Sequence, residues 1–187
     1  MLCEMEEFGK FVEITGYSDI SLATAEAFLK ENRKQNQTTN IQFFDADLIA
    51  TQEHLYFAAL NALQAFKNKT NISKSPAMEA MLYASAQRQI QKAIEHCGIK
   101  PKTTNMAVLI IADTPEQTQT ILQDITACVG KKPDSTVLEM TKNKQATIER
   151  AFGITEQELK TTIQEGDEAK AIVNLIIERV ALLATQF

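Results

Sequence analysis

A chain of 187 residues, 44% of them hydrophobic, is long enough to bury a core as one domain covering residues 1–187. Its 24 acidic against 19 basic side chains, net charge −5 and pI about 5.2 exclude a nucleic-acid binder coated in positive charge, and confine any RNA contact to a local basic patch. Cys3, Cys97 and Cys128 form no C-x-x-C pair, which argues against a disulfide framework or zinc site, and the acidic opening MLCEMEEFGK is no signal peptide; a cytoplasmic protein without membrane contact is expected.

Phe11, Val12 and Ile14 read as a first strand ending at Gly16, and Ser21 caps an expected helix to about Lys34 that carries Leu22, Ala25, Ala27, Phe28 and Leu29. The polar run NRKQNQTTN is then a surface loop, and Ile41–Ile49 a second strand. Thr51 is expected to cap a helix reaching about Lys69 that is apolar nearly all round, with only His54, Asn61, Gln64 and Asn68 as a polar stripe. Ser73 or Ser75 with Pro76 starts the next helix, which carries Met78, Met81, Leu82 and Tyr83. Its later part places Ala86, Ile90, Ala93, Ile94 and Cys97 on one face, and Gly98 closes it.

Met106–Ala112 is the expected central strand, since Val108 to Ile111 are apolar in succession. Pro115 opens a helix to about Val129 that carries Thr118, Ile121, Leu122 and Ile125 inward, Val137–Met140 is a short edge strand, and a short helix runs through Arg150. A capping box, Thr155 to Glu158, begins another, and the last helix runs from about Asp167 to Ala184 with a stripe wider than one contact requires. The fold class is α/β: a small three- to four-stranded mixed or antiparallel sheet packed by several helices.

Catalysis needs a nucleophile, an acid and a base that converge, and no residue qualifies. His54 lies near a helix start, where capping or hydrogen bonding explains it; His96 near a helix end is explained by the dipole. Asp45 and Asp47 alternate along a strand and read as turn carboxylates rather than Mg²⁺ ligands, and Cys97 reads as core. With no phosphate-cradling glycine loop either, no cofactor or metal is expected. The basic residues Lys67, Lys69, Lys74, Arg88 and Lys92 converge on one edge if the turn folds back, with Tyr83 or Phe57 to stack on an unpaired base; otherwise they are solvated charges. Lys131 to Arg150 is a second, acid-diluted basic stretch.

The order DADLIA, EHLYFAALNAL, NIS, ME, MLY and RQI, followed by NMAVLIIAD, FGIT and ERVALLA, resembles the kinase-binding subunit of the KEOPS (EKC) complex, the family of the PRPK-binding protein, across roughly residues 8 to 185. The resemblance implies a non-catalytic subunit of the assembly that makes N6-threonylcarbamoyladenosine in tRNA, docked on its small atypical kinase/ATPase and helping recruit tRNA by the 3′ CCA tail. Carried onto this chain, it implies kinase contacts at Met81, Leu82, Arg88 and Ile90, and tRNA contacts at Lys67, Lys69, Asn71, Lys74 and Lys92. A monomer is expected in isolation. Ala86 departs from the S-G-x-R-Q-I pattern of relatives; alanine there favours a continuing helix. Two other readings stay open: an interaction scaffold with no RNA contact, and a small enzyme with an unrecognised site.

Overall fold

A computed structural model describes residues 1–21, 23–28, 40–164 and 166–185. Much of the expected first helix and its following loop, with Leu22, Leu29 and Lys34, lies outside the described residues; residues 23–28 are helical (α1). The sheet has four antiparallel strands in the order β1-β2-β4-β3: β1 Leu2–Met5, β2 Lys10–Tyr17, β3 Asn40–Asp45 and β4 Met106–Ala112. All seven residues of β4 are buried, because strands flank both its edges and helices cover both its faces. Val12, Ile14, Phe44, Leu109 and Ile111 face α2 (Gln52–Asn68) and α3 (Pro76–Ser85). Tyr17, Phe43, Val108 and Ile110 face α1 and α5 (Pro115–Val129), whose Ile121 and Ile125 point inward as expected.

Three corrections concern the strands. The fourth strand is β1, which forms a hairpin with β2 through a turn at Glu6–Phe8. Only Met5 of β1 is buried, so the strand leaves little apolar alternation to read. The expected strand at Val137–Met140 is instead a 3-10 turn, Ser135–Leu138. Asp134 winds it by accepting from the Thr136 N–H at 3.1 Å, and its own N–H donates to the Gly16 carbonyl at 2.7 Å. A Cβ on Gly16 would sit 2.2 Å from Val137 Cγ2, so glycine in β2 lets this turn lie flat on the sheet. The second strand ends at Asp45, four residues earlier than expected, and a 3-10 turn at Ala46–Leu48 follows.

Thr51 does not cap α2 through its side chain: its Oγ1 is buried with no partner among the described residues. His54 holds that end instead, its Nδ1 accepting from the Ala50 N–H at 3.1 Å. Ser75 caps α3, its Oγ accepting from the Met78 N–H with Pro76 in the first turn. Ala86 then ends α3 in the left-handed region, φ 51°, and α4 (Ile90–Cys97) begins separately. The break survives alanine's preference for helix, about 1 kcal/mol against glycine. The Ala86 and Gln87 N–H groups close onto the Leu82 and Tyr83 carbonyls, and Ser85 Oγ donates to the Met81 and Leu82 carbonyls.

A third layer is built by α6 (Lys142–Phe152), α7 (Glu156–Thr162) and α8 (Glu168–Leu182), packed through Ile148, Leu159, Ile172 and Ile176. The expected capping box forms on α7: Glu158 accepts from the Thr155 N–H at 2.7 Å, and Thr155 Oγ1 accepts from the Glu158 N–H. The wide stripe of α8 is explained by its position, since Val180 joins the α2 core while Ile172 and Ile176 meet α6 and α7.

Candidate functional site

The last turn of α2 and the α2–α3 connection together carry four of the expected tRNA contacts. Lys69 takes a left-handed conformation, φ 58°, that ends α2. Lys67 is tied elsewhere: its Nζ lies 2.7 Å from Glu7 and 5.6 Å above the Phe8 ring. Asn71 Nδ2 donates to the Ser73 carbonyl at 2.9 Å, and Lys74 is exposed. Beneath this loop lies Glu79, 1% exposed, whose carboxylate accepts from the Ile72 N–H at 3.0 Å and the Ser73 N–H at 2.7 Å. Ile72 stands 43% exposed above it. Sequence reasoning passed over both residues; a Glu four positions after a Ser-Pro helix start was the available signal.

Arg88 and Lys92 lie beyond the other end of α3, whose ten residues separate the two ends by about 15 Å. The five cations therefore divide into two groups rather than sharing one edge. Tyr83 is buried, and Phe57, half-buried, packs edge-on against Tyr56.

Of the expected kinase contacts, Met81 and Leu82 are fully buried in the core against the sheet and offer no surface. Arg88 and Ile90 are exposed. The stripe read on α4 is real but tilted: Ala93 and Cys97 turn inward, while Ile90 and Ile94 at its rim are 40% and 42% exposed. Ile90 thus leaves the core and joins Ile94 as an apolar ridge on the surface.

The histidines serve packing. His54 is fully buried; with Nδ1 accepting, its proton sits on Nε2 and is donated to the Ala84 carbonyl at 2.8 Å. Burial pulls its pKa down to about 4. His96 has a partner beyond the helix dipole, Nε2 lying 2.9 Å from the Ala151 carbonyl. Burial pushes the Cys97 thiol far above its usual range. Asp45 does turn work, accepting from the Asp47 N–H and from Thr103 Oγ1 at 3.2 and 2.9 Å. Lys144 is buried, donates to the Val137 carbonyl at 2.9 Å, and is lowered by burial to a pKa of about 8. A cavity of about 260 Å³ lies between the α3–α4 break and α8, lined by Gln87, His96, Phe152 and Arg179. A wider depression of about 540 Å³ runs between Thr51, Met140 and Lys170.

Over 119 residues the chain is 33% identical to the regulatory protein Cgi121 of Methanocaldococcus jannaschii, an alignment that covers 64% of this chain and 74% of that relative. The family model described as kinase binding protein CGI-121 matches residues 17–184, from the last residue of β2 to the turn after α8. The chain belongs to the CGI-121 family of kinase-binding proteins.

Proposed function

We propose that this protein is a non-catalytic, cytoplasmic subunit of the KEOPS complex, monomeric in isolation, that docks on the small atypical kinase and helps recruit tRNA by its 3′ CCA tail for N6-threonylcarbamoyladenosine formation. The observation that carries the kinase half is the exposed Ile90–Ile94 ridge beside Arg88, an apolar surface left uncovered among the described residues. Met81 and Leu82 then act from below, as the core on which that ridge is mounted. Such a subunit contributes binding energy far from the reacting adenosine, fixing the substrate for another subunit's chemistry.

The tRNA half rests on the α2–α3 loop, where Lys69 and Lys74 make no salt bridge among the described residues. A titration of the chain at fixed salt against intact tRNA and the same tRNA lacking CCA tests it. Tighter binding of the intact tRNA supports tail recognition; equal weak binding leaves only the kinase role.

The scaffold reading without RNA contact has two observations in its favour. Lys67 is neutralised by Glu7, and Arg88 and Lys92 lie a helix length from Lys74, so the basic patch is smaller than five cations.

A further inference from the structure

We infer that Glu79 is the positioning residue of the α2–α3 loop, holding Ile72 outward between Lys69 and Lys74 as the contact for an unpaired nucleotide; the inference rests on the RNA reading above. A carboxylate withdrawn from water needs partners, and among the described residues Glu79 makes no salt bridge. Its partners are backbone amides: Ile72 N–H reaches both oxygens, at 3.1 and 3.0 Å, and Ser73 N–H reaches one at 2.7 Å. Those amides converge on it only while the loop keeps this shape.

The rest of the loop is tied inward as well. Thr70 N–H donates to the Ala65 carbonyl at 2.9 Å, Asn71 Nδ2 to the Ser73 carbonyl at 2.9 Å, and Ser73 Oγ to the Ser75 carbonyl at 2.7 Å. What remains outward, besides Thr70, is an apolar side chain with an exposed lysine on either side. An apolar surface for a base face and two ammonium groups for the flanking phosphates suit a single strand, whereas a duplex keeps its base faces stacked. A loop ordered before binding loses less entropy on contact, which is the advantage a buried clamp confers.

The test measures affinity of the full chain for CCA-ending tRNA across a salt series. Lys69→Glu with Lys74→Glu probes the RNA reading: unchanged affinity ends that reading and the inference with it. Glu79→Gln, which sets an amide donor against backbone donors, is expected to weaken binding about tenfold and to lower the salt slope by about 1, as the two lysines lose register with the phosphates. In the double-lysine variant the same substitution is expected to add little. A merely structural role would reduce thermal stability and leave the slope of the folded protein unchanged. That result, with the lysine variant weakened, overturns the inference while the RNA reading stands. If Glu79→Gln does not fold, Ser73→Ala, which removes the Ser73 Oγ bond, carries the same comparison of slopes. Ile72→Ala is expected to weaken binding about fivefold without changing the slope, as loss of apolar contact should; wild-type affinity there removes Ile72 from the contact.

Discussion

The two ends of α3 are connected to their neighbours in opposite ways. Before α3 the chain is shaped by side chains: Glu79, Asn71 and Ser73 gather the loop's polar groups inward, and the surface left over is Ile72 and Thr70 with Lys69 and Lys74. After α3 the chain is shaped mainly by backbone, with Ser85 and His54 bracing it from beneath: Ala86 turns left-handed, the Leu82 and Tyr83 carbonyls are closed, and burial of Ala93 and Cys97 sets α4, leaving Arg88, Ile90 and Ile94 outside. One connection presents charge around a small apolar point, and the other presents an apolar ridge. Their separation by a helix length means that two partners need not compete, and that each surface should fail alone.

The largest effect should come from beneath both. Leu82→Ala removes a fully buried side chain from the core and is expected to lower stability by about 3 kcal/mol in urea unfolding. Kinase affinity per folded molecule should stay near wild type; a specific loss of affinity at full stability would place Leu82 on the surface instead.

Acid should loosen the second connection. His54 anchors the Ala84 carbonyl two residues before the break, and is held neutral with its pKa lowered from 6.5 to about 4, chiefly by burial and further by Lys144 and His96. Between those values the unfolded chain binds the proton and the folded one does not. The contribution is therefore complete above about pH 6.5 and falls as pH drops toward 4, by on the order of 2 kcal/mol at pH 5. His54→Asn should flatten unfolding free energy across that window, and an equally steep variant would move the titrating group elsewhere.

A sharper test of separation is Ile90→Asp. Kinase capture by the purified chain should weaken at least tenfold, about 1.4 kcal/mol, with stability changed by under about 0.5 kcal/mol and tRNA affinity untouched. Joint loss of both affinities would merge the two surfaces. Smallest of the four, Ala86→Gly should raise the unfolding free energy by up to about 1 kcal/mol, since glycine occupies φ 51° without the Cβ penalty. Destabilisation would mean that the Ala86 methyl packs against something that matters more.

Much of this fold could be read locally. The central strand, the Ser-Pro start of α3, the capping box at Thr155 and the inward positions of α5 follow from periodicity and caps within a few residues. The hairpin strand β1 was illegible because just one of its residues is buried, and the turn at Ser135–Leu138 because Val137 and Leu138 look like a strand until Gly16 and Asp134 are brought together. At the candidate site, the lysines and the Ile90 position were visible, but Glu79 looked like any solvated helical acid.

Most helices, the central strand and the family to which the chain belongs could be read locally, because propensities, caps and hydrophobic periods act over three or four neighbours. Packing across the whole molecule sets Met81 and Leu82 inside and Ile90 and Ile94 outside, breaks the helix at Ala86 and parts the five cations into two groups. Each of these depends on what packs against an apolar stripe from tens of residues away. An arc of apolar side chains says that part of a helix is buried, but which edge of the arc is covered is set by its neighbours, here α2, α8 and the sheet.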